Sequence, residues 1–148
     1  FHQNHINDRT GNTNGIAFTK ALQTRDFEGL AFVNLVDFDM LYGHRRDVAG
    51  YAAAATEFDK FVADFIPSMR EGDILMVTAD HGCDPSYTKT TDHTREYVPY
   101  LIYGKGIKPG VDLGTHLCFG TIAQTICEYL GVDASSLDGK SVWNEIKA

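Results

Sequence analysis

The sequence lacks the features of several large protein classes. Its 148 residues include only three cysteines, at positions 83, 118 and 127, and this odd number without a C-x-x-C pair argues against a disulfide framework. No apolar run approaches the ~20 residues that a membrane helix needs. The chain has 13 Lys and Arg against 20 Asp and Glu, and a net charge of −7 is the opposite of what nucleic-acid binding requires. The sequence therefore favours a protein of a reducing compartment that binds neither membranes nor nucleic acid.

The N-terminus lacks two further features. The chain begins at Phe1 without an initiator Met, and the residues that follow contain neither the basic region nor the apolar region of a signal peptide. We therefore expect the chain to begin inside a longer protein.

Three apolar runs have the length of β-strands. With 43% hydrophobic residues, the chain can bury a core of the size usual for one domain. Residues 30–36 and 74–79 are nearly all apolar, as strands covered on both faces are. Residues 98–103 contain Pro99, which is typical of an edge strand or of an irregular strand start. The sequence thus predicts an α/β fold with a mostly parallel sheet and helices on both faces.

Three other segments predict helices. Residues 16–23 fit a short helix after a polar, turn-rich start. The longest helix follows Asp47, which we predict as its N-cap, and Pro67 ends or kinks it. Its apolar residues recur at steps of three and four and define one face: Tyr51, Ala55, Phe58, Val62, Phe65 and Met69. A closing helix around 119–130 ends at Gly131.

Residue types that bind metals follow both central strands. The first strand leads into DFDMLYGHRRD (37–47), and the second into DHGCD (80–84), with TDHTRE (91–96) after it. Because the carboxyl ends of parallel strands meet at one edge of a sheet, we expect these side chains to converge. Aspartates at close range repel one another, and divalent cations with neutral imidazole ligands remove that conflict. Mixed carboxylate and histidine ligands suit Mn²⁺ or Zn²⁺ better than Mg²⁺.

Several of these residues also have simpler interpretations. An Asp-His pair after a strand is more often a hydrogen-bonded loop pair than a pair of ligands, and Asp37 fits a turn cap. Cys83 is interpreted as a bystander, because the surrounding site is rich in oxygen ligands. Arg45 and Arg46 fit contacts with phosphate or with ligand carboxylates, and an external salt bridge equally well. The joint occurrence of three histidines after two buried strands favours the metal site over these interpretations.

The same segments resemble a known family. NLVDFD (34–39) with GHRRD (43–47), TADHG (78–82), and TDHTRE followed by YVP (91–99) are similar to the signature of the phosphopentomutases. ADHG alone is shared across the alkaline phosphatase superfamily, whereas GHRRD together with TDHTRE is much more specific. The resemblance extends from Phe27 to the C-terminus. It implies part of an alkaline phosphatase-like core.

The resemblance also implies an activity and a set of ligands. Phosphopentomutases are cytoplasmic isomerases of nucleotide and pentose phosphate metabolism, and they interconvert the 1-phosphate and 5-phosphate of ribose or 2-deoxyribose. They use two Mn²⁺ ions, with Zn²⁺ or Mg²⁺ as alternatives, and a phosphorylated threonine. The matching ligands form two groups, one for each metal: Asp80 and His81, and Asp39, His44 and His93. The residues expected behind the ligands or at the phosphate are Asp37, Arg45, Arg46 and Arg95.

Two elements of the family's site have no matching motif in this sequence. These are the nucleophilic threonine and one further aspartate ligand, which the resemblance places outside this chain. We therefore expect residues 1–24 to be a linker and short helix returning from a cap domain, and residues 25–148 to be the C-terminal part of the metal-binding core. The implied partners are a sugar phosphate and the remainder of the protein's own core and cap domain, and the chain alone is expected to be inactive.

Two other functions remain open on the sequence. One is a different two-metal phosphotransferase of the superfamily, such as a cofactor-independent phosphoglycerate mutase or a phosphodiesterase. It would share the motif at 80–82 but not the Arg-Arg-Asp and Thr-Arg-Glu contexts. The other is a metal-stabilised domain without catalysis.

Overall fold

The computed structural model describes residues 11–148, and part of the predicted N-terminal linker, residues 1–10, lies outside them. The described residues form eight elements: α1 (Asn12–Leu22), a π-helix (Phe38–Gly43), α2 (Val48–Phe65), a 3₁₀ helix (Ile66–Ser68), β1 (Ile74–Thr78), β2 (Tyr100–Gly104), α3 (Gly120–Leu130) and α4 (Trp143–Ile146). The two strands pair in an antiparallel sheet. The predicted α/β class is confirmed. No helix among the described residues is both long and apolar enough to span a membrane.

Helix α1 begins at Asn12, four residues before its predicted start. Gly11 precedes it with a positive φ of 92°, which glycine adopts without strain. The carboxylate of Asp37 then accepts a hydrogen bond from the backbone N–H of Asn12 at 2.7 Å. Such a bond satisfies one of the free N–H groups at a helix start, as an N-cap does. A cap that lies 25 residues away in the sequence leaves no local signal, so the turn-rich composition alone suggested a loop here.

Helix α2 confirms its predicted ends and, apart from one residue, its predicted face. The side chain of Asp47 accepts a hydrogen bond from the N–H of Gly50 at 2.9 Å, and the helix passes into the 3₁₀ turn that contains Pro67. The most buried residues of α2 are Ala54 and Phe61, whereas Ala55, predicted on the buried face, is exposed. The helix packs against both α1 and the π-helix. The other five predicted residues are buried or half-buried, and contacts on two sides, which periodicity does not show, add Ala54 and Phe61 to the buried surface.

The segment 30–36, predicted as a central strand, belongs to no sheet among the described residues. It is a stretch without regular structure, and its burial alternates: Val33 and Leu35 are half-buried, whereas Phe32 is 82% exposed. The covered face lies against α1, where a Cβ on Gly15 would come within 2.7 Å of Leu35. A strand needs backbone partners, and none of the described chain lies beside this segment as a strand. The predicted parallel βαβ unit is therefore not confirmed.

The described chain divides into two compact units. One contains the described part of Phe1–Met69 together with Val77–Leu101, and the other contains Arg70–Met76 and Ile102–Ala148. In the second unit, α3 ends as predicted at Gly131, which has a positive φ of 66°. The four-residue helix α4 was not predicted, because one helical turn is too short to show a periodicity.

All three cysteines of the chain are free, as the sequence predicts.

Candidate metal centre

The π-helix brings the first pair of candidate ligands together. The backbone N–H of His44 donates to the carbonyl of Asp39 at 3.0 Å, a bond that spans five residues. The wider turn places both side chains on one face, and Nε2 of His44 lies 3.3 Å from Oδ2 of Asp39. Gly43 permits this close packing, because a Cβ there would lie 2.5 Å from Sγ of Cys83 and 2.9 Å from the carbonyl of Phe38. Short π-helical turns are rare and occur frequently at functional sites.

A short antiparallel bridge brings the second pair together. The N–H of Thr94 donates to the carbonyl of Gly82 at 3.0 Å, and the hydroxyl of Thr94 accepts from the N–H of Asp84 at 2.6 Å. In such a ribbon, the residues next to a bridged pair point to the face opposite to that of the pair itself, so His81 and His93 share one face. His81 and His93 lie diagonally across this bridge, and their rings stack with centroids 3.7 Å apart.

Four of the five ligands predicted from the resemblance thus lie in one cluster. Asp39, His81 and His93 each offer a ligand atom, and these atoms lie within 4.8 Å of one another. The ring of His44 lies 4.9 Å from that of His93. Asp80 lies at the margin: its side chain is 84% exposed, and its Oδ1 lies 3.5 Å from Nε2 of His81. The metal-ligand roles of all five residues stay predictions.

The carboxylate of Asp39 has an uncompensated oxygen. Its Oδ1 is buried and has no hydrogen-bond partner, and Nε2 of His93 stands 3.6 Å away, beyond hydrogen-bond distance. Leaving a buried polar atom unpaired costs about 1–3 kcal/mol, and more for a charged group. A cation beside this oxygen would supply the missing partner.

The imidazoles are oriented as metal ligands are. Nδ1 of His44 is hydrogen-bonded to the carbonyl of Thr91, and Nδ1 of His81 lies 3.2 Å from the carbonyl of Gly82. A carbonyl oxygen only accepts, so Nδ1 of each neutral ring carries the proton and Nε2 presents a lone pair. Each lone pair faces a carboxylate oxygen, and a cation between them would attract both. Histidines that bind metals are typically fixed in this way through their other nitrogen, and the donor set fits a divalent cation.

Two neighbours of Asp39 have altered acidity. Burial raises the pKa of the Cys83 thiol, and the hydrogen bond to Asp39 and its negative charge raise it further, against an opposing effect of Arg46. Burial also raises the pKa of Tyr51, with smaller contributions from the charges of Cys83 and Asp39. Both groups therefore remain protonated at neutral pH. The sequence interpretation treated Cys83 as a bystander and Tyr51 as part of an apolar face. Tyr51 lies in the first turn of α2, shortly after the candidate ligands Asp39 and His44 in the sequence.

The remaining predicted residues lie around this cluster. Asp37 caps α1 and does not join the candidate ligands. Asp84 is held by the N–H and hydroxyl of Ser86, which lower the pKa of its carboxyl. Arg45 and Arg95 are exposed. The guanidinium of Arg46 is directed into the loop that carries His93.

Comparison with known proteins agrees with a metal centre of this kind. The chain belongs to the metalloenzyme superfamily, whose family model matches residues 7–134. The curated relatives that it resembles are phosphopentomutases. The chain is 52% identical to the phosphopentomutase of Acetivibrio thermocellus over 142 aligned residues. The aligned region covers 96% of the chain and 35% of that protein.

Two further relatives give the same result. The phosphopentomutase of Lachnoclostridium phytofermentans is 54% identical over 134 residues, which is 90% of the chain and 34% of that protein. That of Carboxydothermus hydrogenoformans is 48% identical over 136 residues, which is 92% of the chain and 34% of that protein. The chain thus spans about a third of the length of the curated relatives it matches.

Proposed function

We propose that the full-length protein containing this chain is a cytoplasmic phosphopentomutase that interconverts the 1-phosphate and 5-phosphate of ribose or 2-deoxyribose. The observation that carries the proposal is the carboxylate of Asp39, which has one buried oxygen without a hydrogen-bond partner and lies among the imidazoles of His44, His81 and His93. This arrangement supports a metal centre, and the relatives at about 50% identity support the choice of reaction.

The candidate ligands divide between two Mn²⁺ ions, with Zn²⁺ and Mg²⁺ as alternatives. We assign Asp80 and His81 to one ion, and Asp39, His44 and His93 to the other. The stacked rings of His81 and His93 support neighbouring sites for the two groups. When bound, such ions offset charge on a transferring phosphoryl group and acidify a bound hydroxyl. The carbonyls of Thr91 and Gly82 hold the imidazoles in one orientation, so the chain's own role here is to fix the ligand positions.

The exposed guanidinium groups of Arg45 and Arg95 are the candidates for holding the phosphate of the substrate. Both belong to the motifs that distinguish the phosphopentomutase resemblance from the wider superfamily. Arginine suits this role because its planar, permanently charged group binds phosphate oxygens through paired hydrogen bonds.

The finer architecture follows from the same proposal. In the full-length protein, the segment 30–36 is a strand of a mostly parallel sheet with helices on both faces. Its half-buried Val33 and Leu35, and the exposed Phe32 on the opposite face, support a strand with one side still open in this chain. Residues 1–24 then return from a cap domain, and residues 25–148 complete the metal-binding core together with the rest of the protein.

Turnover by the full-length protein tests this proposal. Purified protein with Mn²⁺ is mixed separately with ribose 1-phosphate, 2-deoxyribose 1-phosphate, 3-phosphoglycerate and bis(4-nitrophenyl) phosphate, and products are followed by ³¹P NMR. We expect conversion of the pentose 1-phosphates to 5-phosphates and its loss on chelation of the metal. Turnover of 3-phosphoglycerate or of the diester alone would instead identify one of the two rival phosphotransferases. Absence of all turnover with metal bound would favour the non-catalytic domain.

A further inference from the structure

Arg46 connects the two segments that carry the candidate ligands. Its Nε donates to the carbonyl of Thr90 at 2.9 Å, and its Nη2 donates to the carbonyls of Thr90 at 2.6 Å and Asp92 at 2.5 Å. Its Nη1 donates to the carbonyls of Asp84 at 2.9 Å and Gly43 at 3.2 Å. A guanidinium has five N–H groups. All five are therefore used, and all go to backbone oxygens.

This hydrogen-bonding pattern argues against phosphate binding by Arg46. A phosphate would need at least one free N–H, whereas this side chain has each of its donors committed within the protein. The accepting carbonyls of Asp84, Thr90 and Asp92 lie along the loop between His81 and His93. The carbonyl of Gly43 is at the end of the π-helix that holds Asp39. One side chain thus links both sources of ligands.

The backbone of Arg46 supports the same conclusion. Its φ is 55°, and among the described residues it alone has a positive φ without being glycine. Residues other than glycine rarely adopt this conformation, and those that do are concentrated at functional sites, where the surrounding structure enforces the strain. The conformation turns the side chain of Arg46 toward the loop, whereas that of its neighbour Arg45 is exposed.

We propose that Arg46 is a positioning residue of the metal centre. It holds the loop 84–92 against the end of the π-helix and thereby sets His93 beside Asp39, at the 3.6 Å separation observed between Nε2 and Oδ1. His93 directly follows Asp92, whose carbonyl Arg46 binds, so loss of that bond frees the His93 backbone to shift. This inference rests on the proposed metal site and adds a residue that does not touch the metal.

Mn²⁺ affinity of the full-length protein tests the inference, measured by isothermal titration calorimetry with the metal alone. Arg46→Lys keeps the charge but has one ammonium in place of the planar five-donor group. We expect it to weaken Mn²⁺ binding by about 10–100-fold, as changes behind metal ligands typically do. Lys89→Gln, an exposed position in the same loop, removes a positive charge without touching this network and is expected to leave affinity unchanged.

A double-mutant cycle with His93→Ala separates positioning from a general structural effect. If Arg46 acts through His93, Arg46→Lys weakens binding in the wild-type background but adds little in the His93→Ala background. Hydrogen exchange of the metal-free Arg46→Lys protein should also show faster exchange confined to residues 84–93.

Three results would overturn the inference. If the fold-losses in Mn²⁺ affinity caused by Arg46→Lys and His93→Ala multiply in the double variant, Arg46 acts independently of His93. Unchanged affinity in Arg46→Lys, with His93→Ala impaired, would reject the positioning role and leave the proposed metal site intact. Unchanged affinity in His93→Ala itself would reject both the site and the inference.

Discussion

Asp37 and Asp39 are two residues apart in one motif, yet the structure gives them different partners. Asp37 accepts from the first turn of α1 at 2.7 Å, whereas a buried oxygen of Asp39 has no hydrogen-bond partner and lies 3.6 Å from Nε2 of His93. The sequence separated them only through the resemblance, which matches Asp39 to a ligand. Neither the cap made by Asp37 nor the contact of Cys83 with Asp39 has a local signal, because both join residues far apart in the chain.

The contrast between the two aspartates gives the first prediction. Asp39→Asn removes a charged ligand, so the full-length protein should lose one metal ion and its turnover. Asp37→Asn keeps a side-chain oxygen that can cap α1, so both metals should remain and stability should fall by about 0.5–1 kcal/mol. Metal analysis and chemical denaturation of both variants check this. Metal loss in Asp37→Asn with full occupancy in Asp39→Asn would show that the ligand is Asp37 and that the assignment is wrong by two residues.

The histidines give the second prediction at this scale. His44→Ala and His93→Ala each remove a ligand from the group assigned to one ion, so each variant should retain about one ion per chain. His116→Ala is the matched control, since His116 is exposed, its Nε2 lies 3.1 Å from the carbonyl of Leu113, and it is not among the candidate ligands. Inductively coupled plasma mass spectrometry of the three dialysed proteins measures the occupancy. Full occupancy in both ligand variants would reject the assignment.

At the scale of elements, periodicity located the helices and strands better than it located the site. α2, β1, β2 and α3 lie close to their predicted positions, because each has an apolar pattern several residues long. The π-helix was not predicted, since a bond across five residues has no characteristic composition. The turn is closely packed at its last residue, Gly43, where an added Cβ would lie 2.5 Å from Sγ of Cys83.

Gly43 therefore tests the π-helix. Gly43→Ala would place a Cβ 2.9 Å from the carbonyl of Phe38, a backbone atom that cannot move without distorting the turn. Overpacking of this kind costs typically about 1–3 kcal/mol, and the shifted turn should also weaken Mn²⁺ binding. Gly106→Ala is the control, because no atom lies within 4 Å of a Cβ built there. Equal unfolding free energies and equal Mn²⁺ affinities for the two variants would contradict the role given to Gly43.

At the scale of the whole molecule, the prediction of a parallel sheet depended on the segment 30–36. Its apolar composition indicates a strand covered on both faces, but in the described residues only one face is covered and Phe32 is 82% exposed. Composition reports the environment of the complete protein, whereas the structure shows a chain that spans about a third of its curated relatives. On the proposal that this segment is a strand of the full-length protein, its sheet partners would lie outside the residues from which the fold was predicted.

The same reasoning predicts the behaviour of the chain in isolation. No motif in these 148 residues matches the nucleophilic threonine of the phosphopentomutases. The isolated chain should therefore give no conversion of ribose 1-phosphate, even in excess Mn²⁺, under conditions in which the full-length protein is active. Turnover by the isolated chain, in a preparation free of host enzyme, would show that the nucleophile lies within it, with Thr91 and Thr94 the first residues to substitute.

The most direct test of the metal centre is the position of the metal itself. Crystals of the full-length protein grown with Mn²⁺ and measured on both sides of the manganese absorption edge would show where the ion lies. We predict an anomalous peak within coordination distance of a carboxylate oxygen of Asp39 and of Nε2 of His93. A second peak is predicted beside Asp80 and His81. A fully occupied manganese peak elsewhere in the protein, with none beside Asp39, would contradict the account.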